Sequence, residues 1–330
     1  MDLIITNPQW EEKGYLECDS VDIENGDQND FEIQLKKSEY NAEIHRDGSL
    51  IYVPDTEWGG IIKTIHPSGD TLYLGGPTWR GRLEKSIVQP DSGKDYYTVS
   101  GDANTVIGTI LKRQGLTELF QASSKSSGIQ ISSYNFPRYY SVYTGLQTML
   151  DKVGAKLKIA YRRGKANGVG YVEVSAVKVT DYSAQIEINN DMEISYNIKV
   201  NKFTPNHLIC LGRGELKDRT VLHFYADGKG KIVDKQVFTG LDEIVEVYEL
   251  SNEEDNDKLE SDAKKKFKEL LQDGTTTRAT LDTDRINIDI GDIVGGRERI
   301  TGVSVQSPVV RKILKISNGE MTVEYKLKGE

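Results

Sequence analysis

Apolar positions recur with period two in the N-terminal third of the chain, lengthen to a helical period in the middle, and return to period two near the end. Residues 31–36, FEIQLK, place Phe31, Ile33 and Leu35 on one face of a half-buried strand. IIKTI (61–65) and TLYL (71–74) flank HPSGD, where Pro67 suits the first central position of a type I turn and Gly69 the left-handed residue after it, so a β-hairpin is expected. In TWRGRL the same alternation predicts a strand with Trp79, Gly81 and Leu83 on one side and Thr78, Arg80 and Arg82 on the other. Trp79 is then expected in the core. Arg80→Glu with Arg82→Glu is expected to weaken assembly more than folding, provided those side chains face a neighbour.

From residue 102 the spacing becomes helical. Val106, Ile107, Ile110 and Leu111 form a stripe with Asp102 as N-cap and Gly115 as stop. Val142, Leu146, Met149, Leu150 and Val153 form a second, between Ser141 and Gly154. KLKIAYR and YVEVSAVKV then read as strands joined by GKANGVG. Toward the C-terminus a single helix is expected at about 252–273. Ser251 and Glu254 make its capping box, Leu259, Ala263, Phe267, Leu270 and Leu271 line one face, and Gly274 ends it. INIDIGDIVGG, RITGVSV, VVRKILKI and MTVEYKL read as four closing strands, with SNGE (317–320) as a turn.

These changes of period predict an α+β, mainly β chain of three segments: strand-rich 1–95, an inserted α+β unit at 96–190, and strand-rich 191–330 with its single helix. The charge follows a similar division. Residues 1–102 hold 9 Lys+Arg against 20 Asp+Glu, a net of −11; residues 103–180 hold 11 against 3, a net of +8; residues 181–330 hold 22 against 28, a net of −6. A basic block between acidic ones argues against a single uniform domain and disfavours nucleic-acid binding by the flanking segments, since gripping phosphate needs clustered positive charge. No apolar run reaches the length of a membrane helix, and MDLIITNPQWEEKGY lacks the pattern of a secretory signal, so stable membrane insertion and export by the general route are not expected. Cys18 and Cys210 lie too far apart in sequence for a disulfide framework and are read as buried thiols.

Few residues carry a recognisable chemical motif. Gly76, Gly81, Arg82 and Leu83 come within two letters of a phosphate-binding loop, but Lys and Ser/Thr are missing and no following helix is expected, so the nucleotide reading fails. The four histidines are His45, His66, His207 and His223. His207 and Cys210 stand three apart in an extended run and point to opposite faces, which disfavours a shared metal. DTDRINIDIGD (282–292) has Ile286 and no glycine where a calcium loop needs a ligand and a turn, and it reads as strand with exposed acids. GRG (212–214) and GKG (228–230) complete no dinucleotide fingerprint. Serine-nucleophile elbows, HExxH and a Cys–His pairing are missing. Paired carboxylates stay open. The reading therefore assigns no catalytic, cofactor-binding or metal-ligating residue and no cofactor. The tyrosines of YNFPRYYSVY (134–143) suit packing, or a sugar- or partner-binding surface.

EWGGIIKTI (57–65), LYLGGPTWRGRLEKSIVQP (72–90), DYYTVSGDANTVI (95–107) and IGDIVGGRERITGV (290–303) carry a resemblance nearly from end to end. In them the chain resembles the tail hub, or baseplate hub, proteins of long-tailed phages and prophages. That resemblance implies a structural virion component with no enzymatic activity: a homotrimer at the tip of the tail tube, each subunit giving two β-barrel-like tube domains (1–95 and 191–330) that flank the outward-projecting 96–190. It implies as partners the distal tail protein and tube ring, the tape measure protein, and tail fibre or tip proteins, with DNA met only in passage. An acidic lumen would let DNA slide through without adhering. Longer relatives of this kind continue into fibre-like or peptidoglycan-cleaving regions, whereas this sequence ends at Glu330, so cell-wall hydrolysis is the least expected alternative and a tail-tip glycan-binding module the next.

Overall fold

The computed structural model describes residues 3–164, 169–183, 187–188, 195–200, 203–228, 230–251, 255–272, 275–282, 288–297, 302, 304–317 and 320–328. They group into two compact units, one of Met1–Tyr196 with Ala279–Lys328 and one of Asn197–Arg278. The chain is mainly β, as its periodicity predicts, and among the described residues none of the sheets closes on itself into a barrel.

In the first unit, β1 (Ile4–Thr6), β2 (Glu12–Tyr15), β5 (Leu50–Tyr52) and β6 (Gly59–Ile61) form a small sheet in the order β2-β1-β5-β6. Both of its faces are covered. Ile4, Leu50, Tyr52 and Ile61 join one hydrophobic cluster, while Leu3, Ile5, Ile51, Val53 and Ile62 join another. Unbroken apolar runs such as LIYV suit a sheet buried on both sides. The larger sheet draws on both ends of the sequence. Its strands β3 (Ser20–Asn25), β4 (Asp30–Lys36), β7 (Thr64–Ser68), β8 (Thr71–Pro77), β20 (Thr275–Asp282), β22 (Ser304–Ser317) and β23 (Glu320–Leu327) run in the order β20-β23-β22-β3-β4-β8-β7. Strand β21 (Ile293–Arg297) pairs antiparallel with β22, and β14 (Glu187–Ile188) lies parallel to β21. In β4, Phe31, Ile33 and Leu35 are buried against the second cluster and the intervening residues face outward, as the alternation requires.

The first cluster is completed by a three-stranded sheet, β10 (Phe120–Ala122), β13 (Tyr171–Lys178) and β12 (Ala155–Arg162), and by the antiparallel pair β9 (Tyr97–Asp102) and β11 (Gln130–Phe136). Three helices pack on it: α1 (Trp79–Glu84), α2 (Ala103–Arg113) and α3 (Val142–Asp151). Their caps are the expected ones for α2 and α3. Asp102 accepts from the Asn104 amide and Ser141 from the Thr144 amide. Gly115 and Gly154 follow with φ of 66° and 65°. Val153 lies past the end of α3, in the turn that leads to the left-handed Gly154, and is exposed.

Several expectations are corrected. TWRGRL is a helix and not a strand: Thr78 caps it, accepting from the Gly81 amide, and Trp79 and Leu83 are four apart, a spacing that serves one helical face as well as one strand face. Pro67 is no turn residue. It pairs with Leu72 inside β7–β8, and the turn is the two residues Gly69 and Asp70, with Gly69 left-handed at φ 55°. The segments VSV and VVRKILKI are one continuous strand, β22, and residues 288–292 lie outside any strand. The glycines of GGPTWRG serve close packing. A Cβ on Gly76 would stand 2.0 Å from the Ile61 carbonyl oxygen, and one on Gly81 would stand 2.1 Å from that of Asn29.

The chain leaves the first unit along β15 (Ser195–Val200). The second unit is a four-stranded sheet, β18 (Ile232–Val233), β17 (Val221–Ala226), β16 (His207–Leu211) and β19 (Val245–Glu249), backed by α4 (Asn256–Gln272). Leu259, Ala263 and Phe267 of α4 pack on Leu208, Cys210, Phe224 and Ala226, with Leu270 and Leu271 partly buried beside them. Glu254, Gly274 and the SNGE turn at 317–320 fall wholly or partly outside the described residues.

Candidate functional site

On β3, β4 and β8 the period-two pattern that buries Val21, Ile23, Ile33 and Leu74 turns Asp22, Glu24, Asp30 and Glu32 to the other face. These carboxylates line a groove of about 520 Å³ that also includes Gln28, Phe31, Thr64, Gly75 and Gly76. Gly75 sits opposite both Glu32 and Thr64 and contributes no side chain, which deepens the groove. Toward β22 and β23 the acids are partly balanced. Lys315 meets Glu324 at 3.0 Å, and Arg311 pairs with Glu24. Burial, followed by the neighbouring acids, raises the Asp22 and Asp30 carboxyls above the ordinary carboxylate range, although Lys315 tempers Asp22.

Elsewhere in the first unit runs a chain of largely buried ions. The Arg80 guanidinium donates to Glu57 Oε2 from Nε at 2.9 Å and from Nη2 at 2.7 Å, and from Nη1 to the Tyr143 hydroxyl at 3.1 Å. Glu57 Oε1 lies 2.8 Å from Lys312 Nζ, and Lys312 is 3.1 Å from Asp289. Asp289 continues to Lys156 at 3.6 Å, and Lys156 to Asp292 at 2.5 Å. Asp292 also accepts the Thr180 and Asp289 amides at 2.9 Å each. Three cations therefore alternate with three carboxylates, and the chain ties the segment before β6, helices α1 and α3, strands β12 and β22, and the turn before β21. All members but the partly exposed Asp289 are buried, and in that dry setting breaking one partner away is costly.

Burial alone would raise the Glu57 carboxyl. The Arg80 and Lys312 charges overcome this and hold it down at about 2. A depressed carboxylate stabilises the fold above its unfolded pKa and loses that contribution as pH falls through the folded value; a raised carboxylate does the reverse. Asp22→Asn with Asp30→Asn should therefore raise Tm near neutral pH, and the gain should vanish below about pH 4, where the parent carboxyls take up protons. Calorimetric scans from about pH 3 to pH 7 check this; a gain independent of pH would mean the acids cost the fold nothing by their charge.

The alternation in TWRGRL singles out Arg80 but assigns it to an outward strand face; helical winding turns it inward onto Glu57. Arg82 stays half-buried and donates to Ser86 Oγ at 2.9 Å. Glu57, Lys156, Asp289, Asp292 and Lys312 are site residues that the motif search misses. A signal is available for Lys312 alone, which in VVRKILKI falls in phase with the apolar Leu314 and Ile316. Cys210 is buried as expected, whereas Cys18 is only half-buried, and burial lifts its thiol to about 11. His45 is buried, and His66 stacks on Tyr73 in β7–β8. His207 contacts His223 and not Cys210. Among the described residues no group of three or more His, Cys, Asp and Glu could hold a metal ion, and no helix is long and apolar enough to cross a membrane.

Comparison of the sequence with protein-family profiles finds no match, and neither does comparison with curated proteins. The fold has clear counterparts among solved structures. The 43 kDa tail protein of prophage MuSo2 from Shewanella oneidensis matches with a TM-score of 0.59 at 9% identity, over 99% of this chain and 98% of that one. A tail protein from Neisseria meningitidis MC58 matches at 0.53 and 12% identity, over 99% and 95%. Prophage tail protein gp18 from Listeria monocytogenes EGD-e matches at 0.53 and 11%, over 100% and 95%. The chain thus has the fold of prophage tail proteins, from end to end.

Proposed function

We propose that the chain is a structural tail hub of a phage or prophage, a homotrimer joining the tail tube to the tail tip, with no reaction centre. The observation that carries this reading is the full-length likeness to prophage tail proteins. The expected partners are the distal tail protein with the tube ring, the tape measure protein and fibre or tip proteins, and the expected location is the virion tail. Rotational symmetry would let copies cover one another's sheet edges and meet a ring-shaped partner without open-ended growth.

In this reading the acidic face of β3, β4 and β8 lines the channel, where like charge keeps passing DNA from sticking. Light scattering should give three chains per particle, and images of the particle a central hole; a hole lined mainly by Lys and Arg would sink the channel assignment. Asp22→Lys with Glu32→Lys should leave the fold intact and make the assembly retain double-stranded DNA, with retention falling steeply as salt rises. Gel shift at low and high salt reads this directly. A second reading, host-surface glycan binding, is favoured by the exposed Tyr139 and Tyr140 and by Arg138, whose guanidinium sits 5.7 Å from the Tyr139 ring centre. Cell binding that Tyr139→Ala with Tyr140→Ala abolishes would establish it.

A further inference from the structure

We propose that His207 and His223 form a binding site for a divalent transition-metal ion of the zinc class on the open face of the second unit's sheet. Strands β16 and β17 pair His207 with Tyr225 and Ile209 with His223, so the two histidines are diagonal neighbours on one face. The opposite face carries Leu208, Cys210 and Phe224 and packs on α4. His207 Nε2 stands 2.9 Å from His223 Nδ1. Two imidazole nitrogens at that distance share a single proton, one ring donating and the other offering its lone pair.

The outer nitrogen of His207 is already committed. Nδ1 lies 2.7 Å from Glu243 Oε1, which also accepts from Gln236 Nε2 at 2.8 Å. Asn206 anchors that loop, donating to the Asp242 carbonyl at 2.7 Å and accepting the Ile244 amide at 3.0 Å. A carboxylate on one ring nitrogen fixes the tautomer so that the other presents its lone pair, the arrangement that supports histidine ligands in metal centres. The Tyr225 ring packs 4.5 Å from that of His207 and holds its orientation. His207 is buried while His223 is exposed, so an ion enters from solvent, takes the place of the shared proton, which moves to the outer nitrogen Nε2 of His223, and completes its coordination with water. With bonds of about 2.0–2.1 Å to a tetrahedral ion, the nitrogens need to open to roughly 3.3 Å, a small rotation for the exposed ring. Imidazole donors select zinc, copper or nickel and reject calcium and magnesium.

The test is titration calorimetry of the full chain with zinc chloride. One ion should bind per chain, and magnesium chloride should give no heat. His223→Gln, at an exposed position that leaves the fold intact by circular dichroism, should weaken zinc at least tenfold, and Glu243→Gln about tenfold through the loss of the supporting carboxylate. His66→Gln should bind as the parent does. No saturable zinc binding, or affinity unchanged in His223→Gln, would overturn the proposal.

Discussion

Arg80→Ala is expected to lower the unfolding free energy by about 3–5 kcal/mol, because it leaves the Glu57 carboxylate buried without its bidentate partner and strips the Tyr143 hydroxyl of its donor. The geometry makes the loss specific. Arg80 and Glu57 are 2% and 6% exposed, so water cannot replace what is removed. Arg82→Ala, two residues on, should cost below about 1 kcal/mol, since that side chain is half-buried and held by one hydroxyl. Replacing Glu57 by Leu with Arg80 by Met should recover some of the Arg80→Ala loss, because Lys312 keeps Asp289 and the two remaining cations balance the two remaining carboxylates. Urea unfolding of the three variants separates the ideas. Equal, small losses for Arg80→Ala and Arg82→Ala would mean the buried pair contributes no more than a surface contact. The condition that both arginines face a neighbour fails for Arg80, which is buried on Glu57, while Arg82 is half-buried on Ser86.

What the sequence discloses depends on how local the controlling interaction is. Helices α2 and α3 are legible down to their caps because an Asp or Ser two or three residues before the bonded amide is a local device. Strand β4 is legible because its alternation is set by one buried face. Helix α1 is not, since six residues carry both periods equally well and the long-range packing of Trp79 and Arg80 decides between them. The large sheet is hidden for the same reason. Its pairing of β3 with β22 joins residues nearly three hundred positions apart, and nothing local in SVDIEN announces Lys312 opposite Asn25. The ion chain shows the limit most sharply. Its members come from the beginning, middle and end of the sequence, and each except Lys312, taken alone, reads as an ordinary surface charge.

The charge segmentation fares differently, because it is an average and tolerates errors in any one element. The acidic N-terminal segment does yield an acidic sheet face, although its strands belong to a sheet completed by the C-terminal residues. The motifs behind the family resemblance also gain a physical account. EWGG supplies Glu57 to the ion chain and Trp58 to a core cluster, and GGPTWRG supplies two close backbone approaches and the helix that carries Arg80. They are requirements of packing among strands and helix, which is why they look like a phosphate loop in letters and behave unlike one in space.

Trp79→Ala is the second large effect, with an expected loss of about 3–5 kcal/mol. The indole has no exposed surface, its ring centre stands 5.7 Å from that of Tyr161, and Tyr161 in turn stacks on Tyr52 at 3.8 Å. Removing it opens a cavity where β5, β12 and α1 meet, and α1 is too short to hold its winding without that anchor. Trp79 Nε1 is buried with no hydrogen-bond partner, so the ring is retained for its volume and not for its donor. Trp79→Phe should therefore cost clearly less than Trp79→Ala, since it keeps most of the apolar contact and discards an unpaired N–H whose burial already carries a penalty. Equilibrium unfolding of both variants checks the pair. A phenylalanine variant as unstable as the alanine one would show that the nitrogen has a partner after all, and an unchanged Tm for Trp79→Ala would remove this residue from the core.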